Sequence, residues 1–560
     1  MSYGAHIQPR PALDLLPKLK TLVIDRDNLS QRNLSRMLLD LRVQQVTIAS
    51  SLEEAIKITS EEFFDLYLSD DDFDGNHAGF HLFQELRLSN RIPHSAIYIV
   101  ITSNSSQDYV TSFVELAPDG FLIKPFSLEQ MKTRLVRSIS RKRVLLGDVY
   151  KAMDENRNDQ ALAACERVLK SLPKPDPEVL RLKGDLLDML CQFGEAEALY
   201  RSILKTKQLP WAEYGLARTL YAQGSLSESV KIAVKLLQEH PQFLRSYDFL
   251  SSLLHEQGHA ARAQSILQQA ADASPLNTQR QEKVAEIASV NGDFEVAAKA
   301  FARVLEHRKG TPFSKVSDYT NLARAYLEQQ DVIRVREVVL NLREDMPQNL
   351  GAKLSSSVLQ ARCANLDQDL EEFQSALSEA CALYTAEPES NQIVQGDSQL
   401  ACDFADVCLE GGKQDIAENI LENALSAHPN SSGPLADIRH VFMRHGQSKS
   451  LQTHLDHLSK KLVDMNNEAI ELALDGNLAA SAEQLSALAG KTSYPLFQIN
   501  ASKAIFTLLH EEGWNASHAN EGLRHLKRAK EKDPENEQLS TAEALYIQCA
   551  KKYGQTVERI

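Results

Sequence analysis

The sequence has little of what marks several large classes of protein. Its 560 residues carry a formal net charge of −15, which argues against general binding to nucleic acids or to anionic membranes. The longest apolar run, around residues 96–101, is far too short to span a bilayer. The N-terminus, through Pro9 and Pro11, lacks the long apolar core of a signal peptide. We therefore expect a cytoplasmic protein with no membrane insertion and no nucleic-acid partner.

Cysteine is scarce and scattered. The chain has seven cysteines, none of them in a Cys-x-x-Cys pair, and most fall at apolar positions of helical patterns. Such an odd, dispersed set is typical of reduced thiols in the cytosol. The sequence therefore argues against metal binding through cysteine.

The first quarter of the chain contains four short apolar runs that each end at a polar residue. They are residues 21–24 before Asp25, 65–69 before Asp70, 97–101 before Thr102 and 120–123 before Lys124. Short apolar runs of this kind are typical of strands buried in a parallel sheet. Because the carboxyl ends of such strands meet at one edge, the pattern predicts a ligand crevice there.

These residue types suit the transfer of a phosphoryl group. An aspartate such as Asp70 can attack phosphorus only if its own charge and that of the phosphate are both offset, as by a magnesium ion held by carboxylates. A lysine such as Lys124 can pair with the resulting acyl phosphate, and a hydroxyl such as Thr102 can donate to a phosphate oxygen. Each residue alone has a simpler explanation, such as a helix cap, so the combination carries the prediction.

The order and spacing of these residues, with Lys124-Pro125-Phe126 after the last run, resemble the receiver domain of two-component response regulators. The resemblance covers roughly residues 19–140 and is closest to bacterial regulators that continue into helical repeats. It implies an α/β doubly wound, flavodoxin-like fold with five parallel strands. It also implies phosphorylation of Asp70 by a partner sensor histidine kinase, with Mg²⁺ as the cofactor.

The resemblance assigns roles to further residues. The metal ligands would be Asp25, Asp70 and the backbone carbonyl of Asp72, and the phosphate and switch residues would be Thr102, Lys124 and Phe121. Asp72 and Asn104 match positions that modulate the lifetime of the phosphoryl group. Asp71 and Asp74 are interpreted as solvated charges of the loop.

One position departs from the family pattern. Receivers carry two adjacent acids after the first strand, and the second is a metal ligand, but this chain has Asp25-Arg26-Asp27. Arginine stays protonated and cannot coordinate magnesium. Either Asp27 serves as a substitute ligand in a weakened metal site, or the Arg26 guanidinium pairs with Asp70 and replaces the charge of the metal. The second alternative would hold the domain in one state.

From about residue 144 the pattern changes to a helical repeat. Glycine, small, bulky, small and proline residues recur in order, and Gly224, Gly258 and Gly292 are spaced 34 residues apart. This period and pattern resemble the tetratricopeptide repeat, a helix–turn–helix unit. Glycine permits the turn, small residues allow close helix crossing, and proline separates units.

The two patterns predict the domain organisation of the chain. We expect an N-terminal extension over residues 1–18, the receiver over 19–140 and tetratricopeptide repeats over 144–350. An irregular helical segment at 351–395 and degenerate repeats at 396–550, with turns near Gly446, Gly476 and Gly513 and an end near Pro534, would follow. The basic segment at 132–143 is expected to be the last receiver helix running into the first repeat, with a solvated basic face or else a surface for an acidic partner.

Solenoids of this kind bind ligands on the face lined by the first helix of each pair. Trp211, Tyr214, Arg218 and Tyr221 fall on one face of such a helix, and aromatic and arginine clusters are frequent in peptide recognition. Arg245, Asp248 and His255 continue in the next unit. The four residues are therefore predicted to form a partner groove, unless the tyrosines simply pack between helices.

No helix-turn-helix and no diguanylate cyclase or phosphodiesterase motif follows the receiver, so no enzyme is expected and the output should be protein binding. We expect a cytoplasmic response regulator that is phosphorylated on Asp70 and binds an unknown output protein through its repeats. The alternative is a phosphorylation-independent adaptor that sequesters or inhibits a kinase or another signalling protein. The sequence leaves a homodimer open.

Overall fold

The computed structural model describes residues 9–73, 78–103, 115–427, 441, 443–444, 448–491, 495–533 and 536–555. The chain divides into two compact units, residues 1–338 and 339–560. The first unit contains an α/β domain and the first helical repeats, and the second is helical throughout its described part. Asp74, Asn104, Gly446 and Pro534, which the sequence analysis names, lie outside the described residues.

The α/β domain contains one sheet of five parallel strands. The strands are β1 Lys20–Ile24, β2 Gln45–Ala49, β3 Leu66–Asp70, β4 Ile97–Thr102 and β5 Gly120–Ile123. Their order across the sheet is β2-β1-β3-β4-β5. The predicted doubly wound fold is confirmed, and the apolar runs seen in the sequence are its strands.

Helices cover both faces of this sheet. They are α1 Pro9–Leu15, α2 Asn28–Asp40, α3 Leu52–Glu61, α4 Ala78–Leu88 and α5 Leu128–Ile139. Every residue of β3 and β4 is buried, because helices pack on both sides of these central strands. Alternate residues enter two separate cores, one shared with α3 and α4 and the other with α1, α2 and α5. The site at the carboxyl ends of the strands therefore stands on a rigid base.

The basic segment after α5 is the junction to the repeats, and the expectation of a solvated face is wrong. A short π-helix, Ser140–Leu145, carries it. Arg141 pairs with Asp176 and Glu178 of the first repeats. Lys142 donates to Ala96 O and to Asp119, and Arg143 pairs with Asp65, all in the α/β domain. These contacts tie the segment to both the α/β domain and the repeats. Burial lowers the pKa of Lys142, which is 7% exposed. The positive charges are thus used within the chain.

Helices then follow in pairs through the rest of the first unit, and the last of them crosses its boundary at residue 338. They are α6 Gly147–Asp154, α7 Asn158–Ser171, α8 Pro177–Met189, α9 Phe193–Thr206, α10 Pro210–Ala222, α11 Leu226–Glu239, α12 Arg245–Glu256, α13 Ala260–Ala273, α14 Thr278–Val290, α15 Phe294–Arg308, α16 Val316–Glu328 and α17 Val332–Asp345. From α6 to α16, each helix packs on the next one in the chain. This is the repeat architecture that the sequence predicted.

The turns within these pairs use left-handed backbone. Gly224, Gly258 and Gly292 have φ of +82°, +78° and +72°, a region that glycine enters without strain. Asn156 and Cys191 occupy the equivalent turns of the first two pairs with φ of +55° and +56°. The 34-residue spacing of the glycines in the sequence is therefore the spacing of the turns.

Helices also make up the described part of the second unit. They are α18 Leu350–Leu366, α19 Leu370–Ala386, α20 Pro388–Gly396, α21 Ser398–Glu410, α22 Gln414–Ala427, α23 Ser448–Leu474, α24 Leu478–Lys491, α25 Pro495–Glu512, α26 Ala516–Lys532 and α27 Glu537–Lys552. Gly412 and Gly476 have φ of +73° and +86° in their turns, as in the first unit. Among the described residues, the helices are all too short or too polar to cross a bilayer.

Candidate functional site

The carboxyl edge of the sheet brings together the polar residues that end its strands. In the register, Asp70 lies beside Ile101 and Thr102 lies beside Ile123, so the ends of β3, β4 and β5 are level. Lys124, directly after β5, places its Nζ 2.6 Å from Asp70 Oδ2 and 3.8 Å from Asp25 Oδ2. Lys124 therefore faces two carboxylates, one at the end of β3 and one directly after β1.

Asp25 is held by the first turn of α2. Its side chain accepts from Ser30 Oγ at 2.5 Å and from the backbone N–H of Asp27 at 2.9 Å. Gln31 Nε2 donates to its carbonyl oxygen at 2.6 Å. With 1% of its surface exposed, Asp25 is fixed in place from three directions.

The two residues after Asp25 have different surroundings. Asp27 is the N-cap of α2, and its carboxylate accepts from the N–H groups of Leu29 and Ser30 at 3.2 and 3.1 Å. Arg26 is exposed. Asp27 could act as a substitute metal ligand only by giving up its cap, which typically contributes about 1 kcal/mol.

Asp71 is a candidate site residue that the sequence did not indicate. Expected to be a solvated loop charge, it is 2% exposed, and its Oδ2 accepts from Thr102 Oγ1 at 2.7 Å. Thr102 thus donates to Asp71 in this state, while Asp70 pairs with Lys124. The signal was the position of Asp71 directly after a strand whose five residues are all buried. Asp72, one residue further, is exposed.

A glycine allows helix α4 to approach the end of β3. A Cβ on Gly79 would lie 2.2 Å from the carbonyl oxygen of Asp70 and 2.6 Å from Asp71 Cα. The N–H of Gly79 donates to the carbonyl of Asp71 at 3.1 Å. The backbone that carries both acids is therefore positioned by a contact that only glycine permits.

The pocket holds more negative charge than its lysine offsets. Burial raises the pKa of Asp25, against the hydrogen bonds from Ser30 and Asp27. Burial also raises the pKa of Asp70, where Lys124 opposes the shift and Asp71 adds to it. Burial works against the charged form of Lys124, yet its hydrogen bond to Asp70 raises its pKa overall. A further cation in this pocket would be favourable.

The donor set fits magnesium in its chemistry. Asp25, Asp70 and Asp71 offer buried carboxylate oxygens, which are the ligands that this hard cation prefers. Burial raises the pKa values of Asp25 and Asp70, so a cation beside these carboxylates would favour their charged forms. The position of Arg26 removes one carboxylate from that set, so the protein would supply fewer charged ligands than the family pattern does.

A family comparison agrees with this geometry. Residues 21–136 match the family model of the response regulator receiver domain. These residues form a receiver domain. Over 123 residues the chain is 28% identical to a probable chemotaxis protein CheY from Rhizobium etli, a match that covers 22% of this chain and 94% of that protein.

Solved structures of tetratricopeptide proteins are similar to the chain at low identity. The C-terminal part of a repeat protein from Cytophaga hutchinsonii is 12% identical, with a TM-score of 0.30, over 46% of this chain and 98% of that one. A repeat protein from Parabacteroides merdae is 12% identical, with a TM-score of 0.27, over 45% and 96%. The helix pairs of this chain, with their left-handed turns, define its repeats.

A receiver domain followed by tetratricopeptide-like repeats supports a role as a response regulator or a signalling adaptor. Within the receiver, the predicted switch residue Phe121 is half-buried and packs against the core on the α3 and α4 side of the sheet. It stands on β5 beside Val100 of β4. Its ring therefore lies on the face of the sheet that α4 covers.

The residues predicted for the partner groove reach the surface of helix α10. Between Trp211 and Tyr221, every residue except Tyr214 and Arg218 is buried. The rings of Tyr214 and Tyr221 contact Phe249 of α12 at centroid distances of 5.8 and 6.1 Å. These residues thus form an aromatic surface across two repeats, although part of each tyrosine packs between helices.

Proposed function

We propose that this protein is a response regulator whose receiver accepts a phosphoryl group on Asp70 from a sensor histidine kinase and whose repeats bind an output protein. The observation that carries the proposal is the position of Asp70, whose carboxylate lies 2.6 Å from Lys124 Nζ beside two further buried acids. That arrangement has the nucleophile, the counter-ion and the oxygen ligands that phosphoryl transfer needs.

In the transfer, an oxygen of Asp70 would attack the phosphorus of a phosphohistidine. The new O–P bond forms as the P–N bond breaks, and the electron pair remains on the imidazole of the kinase. Lys124 is within reach to move from the carboxylate to the incoming phosphoryl oxygens. Mg²⁺ held by Asp25, Asp70 and Asp71 would offset the charge that gathers on those oxygens.

Thr102 gives this step a structural consequence. Its hydroxyl now donates to Asp71 at 2.7 Å. A phosphoryl group on Asp70 would present new acceptor oxygens, to which a hydroxyl donates strongly because they are charged. The exchange of acceptors would move the end of β4.

Intact-mass measurement after treatment with acetyl phosphate and Mg²⁺ tests the proposal. One labile phosphate should appear on the wild type and be absent from Asp70→Ala. Asp272→Ala, which removes an exposed carboxylate of helix α13, is the control and should label like the wild type. The proposal is wrong if the wild type stays unlabelled with both acetyl phosphate and a panel of histidine kinases from its host.

A second candidate is the phosphorylation-independent adaptor. It is favoured by the exposed Arg26 at a ligand position and by Asp27, which is already engaged as an N-cap. Under this alternative, Arg26→Asp should acquire a phosphate while the wild type does not, because a hard oxygen ligand replaces a cation. Binding of the partner should then be the same for the wild type and Asp70→Asn.

The aromatic surface of α10 and α12 is the proposed output surface. Trp211→Ala and Arg218→Gln should each weaken capture of a shared partner from lysate. Tyr221→Phe is the matched control, since it removes only the hydroxyl that donates to Glu256 at 2.6 Å and keeps the ring. If the first two variants capture the partner as the wild type does, with melting unchanged, the surface is not the output site.

A further inference from the structure

Arg280 on helix α14 is a buried arginine whose guanidinium is surrounded by two carboxylates. Only 2% of it is exposed. Its Nε and Nη2 donate to Asp248 at 2.8 and 2.6 Å, and its Nη1 and Nη2 donate to Glu115 at 3.0 and 2.7 Å. Two forked ion pairs on one guanidinium are geometrically specific and, out of water, electrostatically strong.

The two acids come from different domains. Asp248 belongs to α12 of the repeats, whereas Glu115 belongs to the receiver, in the connection between β4 and β5. The carbonyl of Glu115 also accepts from Arg245 at 3.0 Å. Arg245 and Asp248, which the sequence placed in the partner groove, are therefore engaged with the receiver or with the arginine that holds it.

Apolar contacts extend this interface. Leu276 and Phe313, which precede helices α14 and α16, are 6% and 8% exposed and belong to the same buried cluster as Phe80 and Phe83 of α4. Phe121 packs against that cluster. Repeat residues thus complete a core of the receiver, on the side of the sheet that carries the predicted switch aromatic.

We propose that Glu115, Arg280 and Asp248 form a latch between the receiver and the repeats, and that phosphorylation of Asp70 opens it. This inference rests on the proposed function for its trigger. Thr102 ends β4, and Val100 of the same strand lies beside Phe121 of β5. A shift of Thr102 toward a phosphoryl group would therefore reach the apolar cluster that Val100 and Phe121 share with Leu276 and Phe313 of the repeats.

We expect the latch to control a cavity that lies beside it. Asp248 also lines a cavity of about 440 Å³ between α12 and α14, together with His255, Glu256, Lys283 and Glu286. While the latch is closed, Asp248 holds Arg280 in the orientation that Glu115 requires. When Glu115 leaves, Arg280 and Asp248 can rearrange at the rim of this cavity, next to the aromatic surface on α10 and α12.

The charges of the latch determine which variant is informative. Removing Glu115 leaves Arg280 with Asp248, a balanced pair inside the repeats. Removing Arg280 would leave two buried carboxylates facing each other, which threatens the fold itself. Glu115→Gln is therefore the selective variant, because it takes one charge from the receiver and keeps both repeat partners.

Hydrogen exchange on the full chain, followed by mass spectrometry, tests the latch. In Glu115→Gln, amides of α4 and of the segments around Leu276 and Phe313 should exchange about 30-fold faster or more, since truncating one partner of a buried charge pair costs 2 kcal/mol or more. Asp272→Asn breaks the exposed pair with Arg303 and should leave these rates unchanged. Wild-type rates in Glu115→Gln would overturn the latch.

A second arm tests the trigger. Wild-type protein treated with acetyl phosphate and Mg²⁺, and shown by mass to carry the phosphate, should exchange faster in the same segments as Glu115→Gln does. Phosphorylated protein with unchanged exchange would overturn control by phosphorylation and leave the proposed function intact. If no phosphate is taken up, the proposed function fails together with its trigger, while Glu115→Gln still decides whether the latch exists.

Discussion

The receiver pocket and the latch both place one cation against acidic side chains, yet they differ in how fully the cation is engaged. Lys124 is a point charge with 32% of its side chain exposed, and it faces the two buried carboxylates of Asp25 and Asp70. Arg280 is 2% exposed, and its three nitrogens make four hydrogen bonds to two acids, with Nη2 donating to both. The first arrangement leaves its cation partly in solvent, whereas the second engages every nitrogen of its cation.

This difference shows how a chain can use similar residues for chemistry and for structure. In the pocket, burial raises the pKa values of Asp25 and Asp70 despite the lysine, so the site gains from an added cation or from loss of charge. In the latch, the hydrogen bonds that Arg280 donates to Asp248 and Glu115 overcome its burial and raise its pKa. A cluster whose cation is partly exposed can react, and one whose cation is buried and fully engaged holds two domains together.

The largest effect on stability is expected when Arg280, the cation of the latch, is replaced. Arg280→Gln leaves Glu115 and Asp248 buried without their shared partner, so we expect a loss of about 3–5 kcal/mol in the free energy of unfolding of the first unit. Urea unfolding followed by circular dichroism measures it. Arg303→Gln, which breaks an exposed pair with Asp272, should cost less than about 1 kcal/mol. Equal losses in the two variants would refute the contrast.

Gly79→Ala tests how the pocket is positioned. Its Cβ would meet the carbonyl of Asp70 at 2.2 Å, so the backbone must shift, at a cost of about 1–3 kcal/mol. Phosphorylation should slow as well, because the nucleophile moves with its backbone. Gly490→Ala in α24 is the matched control, since its Cβ would have no neighbour within 4 Å, and it should stabilise by about 0.5–1 kcal/mol. A Gly79→Ala protein as stable and as reactive as the wild type would contradict this account.

Magnesium should bind to the receiver pocket and not to the latch. At a concentration ten times its dissociation constant, Mg²⁺ should stabilise the receiver by about 1.4 kcal/mol. The measurement is thermal melting with and without the ion, at constant ionic strength. Asp71→Asn should lose most of this gain, whereas Glu115→Gln should keep it. A gain that survives in Asp71→Asn would remove that residue from the metal site.

The sequence was sufficient for the features whose signal is local. Asp25, Asp70, Thr102 and Lys124 could be grouped because each ends an apolar run, and parallel strands bring such ends together. Gly224 and its equivalents could be placed in turns because the period repeats. The fold class followed from these two patterns.

Other features have no local signal. Glu115 and Arg280 are 165 residues apart, and nothing near either one indicates that they meet. Asp71 was interpreted as a loop charge because it stands in a run of acids, but the strand carries it one residue further into the pocket. The basic residues 141–143 looked solvated because their acidic partners come from distant segments, such as Asp65 for Arg143. Charge pairing across the tertiary structure decided each of these cases.

The smallest effect expected is a change in how stability depends on pH. Burial in the folded protein raises the pKa of Asp70 above its ordinary value of 3.8, so its ionisation costs stability as the pH rises from that value through the folded pKa. Asp70→Asn removes this cost, and at pH 7.5 it should be more stable than the wild type by ~0.5 kcal/mol, at the low end of single-substitution effects. The gain should shrink as the pH falls toward 4, because the wild-type carboxyl then takes up its proton.

Asp331→Asn is the control of opposite sign, because hydrogen bonds from Arg334 lower the pKa of Asp331. This variant should be less stable than the wild type at pH 7.5, and the difference should also fade as the pH falls. Urea unfolding of the three proteins across this pH range decides the matter, and a gain for Asp70→Asn that does not change with pH would mean that the charge of Asp70 is not its source.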